Sequence, residues 1–173
     1  FVTIDHESSR DLDQALYISR SEGGYVVHYA LADGAYYVRP GSALFDEALA
    51  RGASFYLPGV SVPMLPRALS EDLVSLNPRV PRRALVFQMT LDDQGDCAET
   101  HLIRARVLSR AKLTYEGVQG LLDAPTMSPL AGQEFSDSLR LLEEVGRLRI
   151  AEANRRNVVR FDRSEVMLNH GDG

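Results

Sequence analysis

The segment Phe1-Val-Thr-Ile-Asp5-His-Glu-Ser-Ser-Arg10-Asp11-Leu-Asp13-Gln14-Ala-Leu-Tyr-Ile-Ser19 sets a polar, acidic stretch between two apolar runs. The runs at residues 1–5 and 15–19 predict short strands, because β-branched and aromatic residues favour strands. The polar residues 6–14 between them predict a loop. Strands on both sides would hold this loop at the edge of a sheet. The chain is therefore expected to present an acidic loop, residues 5–14, in a defined position.

The elements expected further along the chain are strands first and helices later. Strands are expected at residues 25–32, 84–92 and 98–108, with turns at 21–24 and 93–96. Residues 53–83 hold five of the eight prolines and are expected to be mostly loop, with one short helix at 70–76. Other helices are expected between the cap Ser42 and Gly52, at 115–122, and at 135–156 with an apolar stripe of Phe135, Leu139, Leu141, Leu142, Val145, Leu148 and Ile150. This order predicts an α+β fold in which a mixed or antiparallel sheet packs with helices.

The composition is that of an ordinary soluble globular protein, and the net charge and the single cysteine argue against some classes of protein. A net charge of −5 over 173 residues argues against a stand-alone non-specific nucleic-acid binder but allows a locally basic channel. The single Cys97 excludes an internal disulfide, which fits a reducing cytoplasm, and we see no membrane-spanning run. The apolar start at Phe1 and the strand-like residues 167–173 lead us to expect a portion of a longer domain.

Asp5, Asp11 and Asp13 are the candidate metal ligands of the acidic loop. Asp11 and Asp13 are two residues apart, so in extended chain both side chains point the same way. Converging carboxylates repel one another unless a hard cation lies between them, and Mg²⁺ prefers such oxygen ligands. An Asp-x-Asp pair in a polar loop is also common as a solvated turn, and the residues alone leave both interpretations open. A calcium EF-hand is a poor match, because the loop lacks the glycine and the terminal glutamate at the required offsets.

Several collinear segments resemble the RNB catalytic domain of the ribonuclease II and ribonuclease R family. The resemblance begins with Phe1-Val-Thr-Ile-Asp5 and Arg10-Asp11-Leu-Asp13-Gln14-Ala-Leu16. It extends over residues 1–118 through Ala30-Leu-Ala-Asp33, Arg39-Pro-Gly-Ser42, Tyr56-Leu-Pro-Gly59, Pro63-Met-Leu-Pro66, Leu69-Ser70, Leu73-x-Ser-Leu76 and Ser109-Arg-Ala-Lys-Leu-Thr-Tyr115. The chain would then be the N-terminal portion of one such domain, with cold-shock-like and S1 domains outside it.

The resemblance implies a metal-dependent 3′→5′ exoribonuclease that hydrolyses single-stranded RNA processively to nucleoside 5′-monophosphates. Asp5, Asp11 and Asp13 match three of the family's four acidic positions, and Asp13 matches the one on which catalysis depends most. The fourth position is Gln14, which offers a neutral oxygen and no charge, so we expect weaker binding of Mg²⁺ or a shift in metal preference, with Mn²⁺ as the other candidate. Asp5 and Gln14 would help to hold one metal. Of the two catalytic residues, Asp13 would serve a second metal or the activated water, and Asp11 would orient that water.

The resemblance also implies which residues contact RNA. Tyr56 matches an aromatic residue that stacks on a base near the RNA 3′ end, and Tyr115 matches a tyrosine near the sugar. Arg10, Arg67 and Lys112 are candidate phosphate contacts, although a solvated surface charge is the ordinary alternative for each, and Arg10 could instead pair with Glu7. Packing in a loop is the alternative for Tyr56, and a helix-start tyrosine bonded to the backbone is the alternative for Tyr115.

Two other functions stay open from the sequence. The first is an RNB-type RNA-binding protein with impaired catalysis, which Gln14 favours. The second is an unrelated Mg²⁺-dependent hydrolase, which the motifs outside the acidic loop disfavour. For the exoribonuclease we expect a cytoplasmic monomer that binds the 3′ end of single-stranded RNA and no membrane.

Overall fold

A computed structural model of the chain describes residues 1–57, 59–159 and 161. In chain order its strands are β1 (Thr3–Ile4), β2 (Gln14–Ser21), β3 (Gly24–Ala32), β4 (Phe55–Leu57), β5 (Val60–Val62), β6 (Pro81–Asp92), β7 (Cys97–Leu108) and β8 (Lys112–Leu113). Its α-helices are α1 (Ala43–Arg51), α2 (Tyr115–Asp123) and α3 (Ser136–Arg155). A 3₁₀ turn at Gly34–Tyr36 lies between β3 and α1, and a π-helical segment at Ala68–Leu73 lies between β5 and β6. The strand expected at residues 167–173 lies outside the described residues.

The centre of the fold is a four-stranded antiparallel sheet in the order β2-β3-β6-β7. Strands β2 and β3 form one hairpin, β6 and β7 form another, and β3 pairs with β6. Gly24 lies where β3 meets β6 most tightly, since a Cβ atom there would come 2.0 Å from the carbonyl oxygen of Leu91. With helices packed on this sheet, the predicted α+β class with an antiparallel sheet is confirmed.

Helix α3 covers one end of one sheet face. Its buried Leu141 and Val145 pack against Ile18 of β2 and Tyr25 of β3. The Ser138 hydroxyl accepts a hydrogen bond of 2.8 Å from the amide of Ile18, which ties the helix to the sheet edge. The predicted apolar stripe is therefore largely confirmed. It is wrong at Ile150, which is 49% exposed because the helix runs past the sheet there.

The opposite sheet face packs on the segment that precedes β6. Leu76 is buried there with Leu12 of the acidic loop and with Ala84 and Val86 of β6. The amide of Leu76 donates to the carbonyl of Leu12 at 2.8 Å. This core therefore includes the middle of the acidic loop.

Helix α1 has the ends that the sequence predicts. The Ser42 hydroxyl accepts a hydrogen bond from the amide of Phe45, as a helix cap does, and Gly52 ends the helix with a φ of 72°. The residues from Ser42 to Gly52 thus encode this helix locally.

The loop-rich region contains more regular structure than the sequence indicates. Strands β4 and β5 form a small hairpin inside it, where only loop was expected. The short helix expected at 70–76 is instead the π-helical segment, which begins before Ser70. Ser70 does not cap a helix, because its hydroxyl is buried without a hydrogen-bond partner in the described chain.

Candidate active site

The two ends of the acidic loop are fastened to different parts of the fold. At the start, β1 pairs in parallel with β8, and the amide of Asp5 donates to the carbonyl of Leu113 at 2.9 Å. At the end, the carbonyl of Asp13 accepts from the amide of Ala32 at 2.8 Å. The sequence prediction that a sheet fixes Asp5 is therefore confirmed. It did not foresee that the partner strand comes from residues 112–113.

Ser75 fastens the middle of the acidic loop. Its hydroxyl accepts from the amide of Leu12 at 2.9 Å and donates to the carbonyl of Arg10 at 2.7 Å. Both Ser75 and Leu12 are almost fully buried. Because Leu12 lies between Asp11 and Asp13, this anchor sets the positions of both carboxylates. Ser75 belongs to the segment Leu73-x-Ser-Leu76, but no role was predicted for its side chain.

The Asp5 carboxylate and Lys112 order the first half of the loop. Oδ1 of Asp5 accepts from the amide of His6 at 2.7 Å and from the Ser9 hydroxyl at 2.8 Å. Nζ of Lys112 donates to the carbonyls of Glu7 at 2.6 Å and Ser9 at 2.5 Å. Lys112, a predicted phosphate contact, therefore binds the loop backbone, and this structural role was not predicted.

Asp11 and Asp13 share an electrostatic environment with Asp5. Asp13 is exposed to solvent, but partial desolvation of its carboxyl, and then the negative charges of Asp11 and Asp5, raise its pKa. Oδ2 of Asp11 accepts a hydrogen bond from the hydroxyl of Tyr56. That bond is the main cause that raises the pKa of Tyr56 to about 12. The structure thus places the three predicted carboxylates within electrostatic range of one another, with Tyr56 bonded to Asp11.

Gln14 follows Asp13 and begins β2, and its side-chain oxygen accepts from the hydroxyl of Tyr29. An amide oxygen has two lone pairs, so this bond leaves one acceptor position on Gln14. Tyr29 was not singled out from the sequence. The hairpin register could have found it, because Gln14 pairs with Leu31 and Tyr29 lies two residues from Leu31 on the same sheet face.

The donor set fits a hard divalent cation in its chemistry. Three carboxylates and one amide oxygen are the ligand types that Mg²⁺ and Mn²⁺ take. The charges of Asp11 and Asp5 contribute, after desolvation, to the raised pKa of Asp13. Within the part of the chain that the structure describes, no three His, Cys, Asp or Glu side chains are gathered into a metal-type cluster. Asp5 and Asp11 turn instead to protein donors, so binding a cation would require their side chains to reorient.

Tyr56 and Tyr115 border the acidic loop with exposed rings. Tyr56 is 67% exposed, and its hydroxyl holds the β4–β5 hairpin against Asp11. Tyr115 is 52% exposed at the start of α2, and its ring centroid lies 5.4 Å from that of His6 in the loop. Both predicted RNA-contact tyrosines therefore lie beside the carboxylates with an open ring surface.

The remaining two candidate contacts differ in their surroundings. Arg67 donates to the carbonyl and hydroxyl of Ser61, at 3.0 and 2.8 Å, and pairs with Glu71, so it fastens the β4–β5 hairpin. Arg10 is exposed, and among the described residues it forms no ion pair with Glu7. Arg10 thus keeps its guanidinium available, whereas that of Arg67 is largely engaged.

None of the helices in the described residues has the length and apolar character needed to cross a membrane.

Comparison with known proteins gives a consistent result. A family model described as the RNB domain matches residues 1–172. The chain is 45% identical over 123 residues to ribonuclease R of Vibrio parahaemolyticus, which is 70% of this chain and 15% of that protein. It is 44% identical over 125 residues to exoribonuclease 2 of Proteus mirabilis, which is 71% of this chain and 19% of that protein. The chain therefore spans less than a fifth of the length of these curated relatives.

Solved structures share the fold. RNase R of Mycoplasma genitalium in complex with double-stranded RNA superimposes with a TM-score of 0.86 at 34% identity, covering 90% of this chain and 28% of that one. Yeast Ssd1, described as a pseudonuclease, superimposes with a TM-score of 0.72 at 20% identity, covering 90% of this chain and 18% of that one. The second likeness concerns the fold alone.

Proposed function

Because the chain belongs to the RNB domain family, we propose that it carries the metal-binding loop of a 3′→5′ exoribonuclease that hydrolyses single-stranded RNA to nucleoside 5′-monophosphates. One observation carries the proposal: the acidic loop brings Asp5, Asp11 and Asp13 close enough for two of them to raise the pKa of the third. A solvated turn would need no such anchors, whereas here Ser75 and Lys112 bind the backbone of the loop that carries the three carboxylates. The chain is then the N-terminal portion of one catalytic domain.

Asp5, Asp11, Asp13 and Gln14 are the residues that would hold Mg²⁺ or Mn²⁺. Such a cation would supply positive charge to a phosphodiester during its hydrolysis. The loop's own contribution is to hold the backbone that carries these side chains in a fixed position before the substrate arrives, which the anchors at Leu12 and Asp13 support.

Asp13 and Asp11 would act on the attacking water. Asp13 would accept a proton from the water, because partial desolvation and the neighbouring carboxylates raise its pKa above that of an ordinary aspartate. Asp11 would accept a hydrogen bond from the water and so orient it toward the phosphorus atom. The water oxygen bonds to phosphorus and loses a proton to Asp13, the bond to the 3′ oxygen breaks, and that oxygen takes up a proton from solvent. The product is a nucleoside 5′-monophosphate and an RNA shorter by one nucleotide.

Tyr56 and Tyr115 would hold the RNA end at this loop. An exposed aromatic ring can stack on any base, and one such stack contributes about 1–3 kcal/mol. The bond from Tyr56 to Asp11 links the stacking ring directly to a proposed catalytic carboxylate. Recognition of the terminal base and alignment of the phosphodiester would then depend on one another.

An RNA-binding protein with impaired catalysis is the second candidate. Gln14 supports it, since this position contributes no charge toward a divalent cation and its oxygen already accepts from Tyr29. Retention of the other three carboxylates favours the enzyme, because a site without a cation gains nothing from their mutual repulsion.

The test is a time course with the full-length protein and a 5′-labelled single-stranded RNA, with Mg²⁺, with Mn²⁺ and with EDTA. The exoribonuclease predicts metal-dependent shortening to a small 5′-labelled oligomer. Tight RNA binding with no shortening in either metal would assign the second function. We further propose that the enzyme is a cytoplasmic monomer, which light scattering of the purified full-length protein and cell fractionation would test.

A further inference from the structure

Three arginines lie on one face of the sheet, away from the acidic loop. Arg83 of β6 is the cross-strand partner of Arg106 of β7, and Leu85 is the partner of Arg104. Cross-strand partners share a face, so all three arginines lie on the face opposite the buried Ala84. We call Arg83, Arg104 and Arg106 the arginine face.

Helix α3 leaves this end of the sheet uncovered in the described chain. It packs over Ile18, Val27 and Met89, which lie toward the other end of the same face. Leu102, two residues from Arg104 on β7, is 60% exposed. Among the described residues, α3 therefore leaves the arginine face uncovered.

A buried carboxylate orients Arg104. The Asp33 side chain is 0% exposed, and Nε of Arg104 lies 3.0 Å from its Oδ2. A second guanidinium nitrogen, Nη2, lies 3.5 Å from Oδ1. The Arg104 side chain as a whole is 57% exposed. Asp33 thus holds a cation at the surface with donors left for an anion.

Arg83 and Arg106 face one another without an acidic partner. Neither forms an ion pair with any acidic side chain that the structure describes. Arg83 lies over the ring of Tyr36, with 3.7 Å between its guanidinium carbon and the ring centroid, and Tyr36 is half exposed. Like charges directly opposite on neighbouring strands are destabilising, and a bound anion would relieve that repulsion.

The arginine face is connected to the acidic loop by one row of the sheet. Gln14 pairs with Leu31, Leu31 with Leu85, and Leu85 with Arg104. Three strand spacings of about 4.8 Å place Arg104 roughly 14–15 Å from Gln14. At a rise of about 3.4 Å per nucleotide along a helical strand, that distance spans about four phosphates. An extended strand would place fewer phosphates in the same distance.

We propose that Arg83, Arg104 and Arg106 bind the phosphates of single-stranded RNA a few nucleotides upstream of the 3′ end held at the acidic loop. The proposal rests on the proposed function for the position of that end. Charge complementarity favours RNA, since three arginines with free donors gather on one face of a chain whose net charge is −5. The alternative occupant, an acidic protein segment, is an outcome of the test below.

The test measures RNA affinity of the full-length protein against salt concentration, by fluorescence anisotropy in EDTA so that no RNA is cleaved. Arg106→Gln and Arg83→Gln are the test variants, because removing Arg104 would leave Asp33 buried and unpaired. For a single strand, each lost phosphate contact should lower the slope of log affinity against log salt by about 0.7. Arg147→Gln, an exposed arginine paired with Glu143 on α3, is the matched control and should leave the slope unchanged.

Two outcomes overturn the proposal. One is a slope equal to that of the wild type in both test variants and in Arg106→Glu. The other is an equal change in Arg147→Gln, which would mean that only overall charge matters. Unchanged slopes in variants that remain folded, together with a changed oligomeric state of Arg106→Glu in light scattering, would instead assign this face to an acidic protein segment. RNA binding is measured in EDTA and does not depend on cleavage. If the protein proves inactive, the proposed catalysis fails, but the salt slopes still test whether the arginine face binds RNA.

Discussion

Replacing Ser75 with alanine should loosen the acidic loop without touching a carboxylate. The hydroxyl of Ser75 accepts from the buried amide of Leu12 and donates to the carbonyl of Arg10. Alanine removes both bonds and leaves the amide of Leu12 buried without a partner, a cost of about 1–3 kcal/mol. At about 1.4 kcal/mol per factor of ten, local opening at Leu12 should become about 5- to 150-fold more frequent.

Hydrogen exchange followed by mass spectrometry on the full-length protein measures this opening. Peptides covering residues 5–16 should exchange faster in Ser75→Ala, while those covering α3 should not change. Exonuclease turnover should fall by up to about 100-fold, since a displacement of about 1 Å at a catalytic group can have that effect. Ser21→Ala, at an exposed site at the end of β2, is the matched control. Unchanged exchange at residues 5–16 in Ser75→Ala would refute the inference that Ser75 positions the loop.

Three further predictions concern other parts of the fold. Gly95→Ala should destabilise the protein by about 2–4 kcal/mol in urea unfolding, because φ is +83° and the new Cβ would lie 2.7 Å from Cβ of Leu148. Gly132→Ala, where the new Cβ would meet open space, should cost only about 1–2 kcal/mol. Equal costs for the two variants would contradict the packing of Gly95 against Leu148. Hydrogen bonds from Tyr25 and Arg20 lower the pKa of Glu144 in the folded state, so its stabilisation is present above the ordinary value of 4.5 and is lost as pH falls through the folded pKa. The Tm of Glu144→Gln should therefore be below that of the wild type at pH 6, and the two should converge on acidification; a constant difference would exclude Glu144 as the cause. Gln14→Asp should lower the Mg²⁺ concentration required for half-maximal cleavage, and an unchanged requirement would remove position 14 from the metal site.

The parts of the fold that sequence predicts are those encoded by neighbouring residues. The helix between Ser42 and Gly52 has its cap and its stop within eleven positions, and both act as expected. The glycines of the β2–β3 turn likewise mark a hairpin whose strands are adjacent in the chain. In each case the hydrogen-bond partners are close in sequence, so residue type alone is sufficient.

The parts that sequence did not predict depend on distant partners. Strand β1 is only two residues long and exists because it pairs with residues 112–113. Lys112 was a candidate phosphate contact by charge, and only the tertiary fold brings its amine to the carbonyls of Glu7 and Ser9. The β4–β5 hairpin was not predicted, because the many prolines around it indicated a loop. Its position depends on contacts from Arg67 and Tyr56 rather than on strand propensity.

The candidate site shows the same division. Asp5, Asp11 and Asp13 could be chosen from the sequence, because an acidic loop between strands is visible there and the family resemblance marks the same residues. The partners that contact them were not predicted: Tyr29 for Gln14, Tyr56 for Asp11 and Ser75 for the loop backbone. Of these, only Tyr29 could have been found, from the register of the β2–β3 hairpin. Each of those contacts joins residues 15 or more positions apart.

The central claim is that Asp13 performs catalysis on RNA held at this loop. The most direct measurement compares Asp13→Asn with Asp93→Asn, an exposed aspartate in the β6–β7 turn, in single-turnover cleavage and in RNA binding by the full-length protein. We predict that Asp13→Asn abolishes cleavage and retains RNA affinity, while Asp93→Asn behaves as the wild type in both assays. Cleavage at the wild-type rate by Asp13→Asn would contradict the claim and remove this carboxylate from the mechanism.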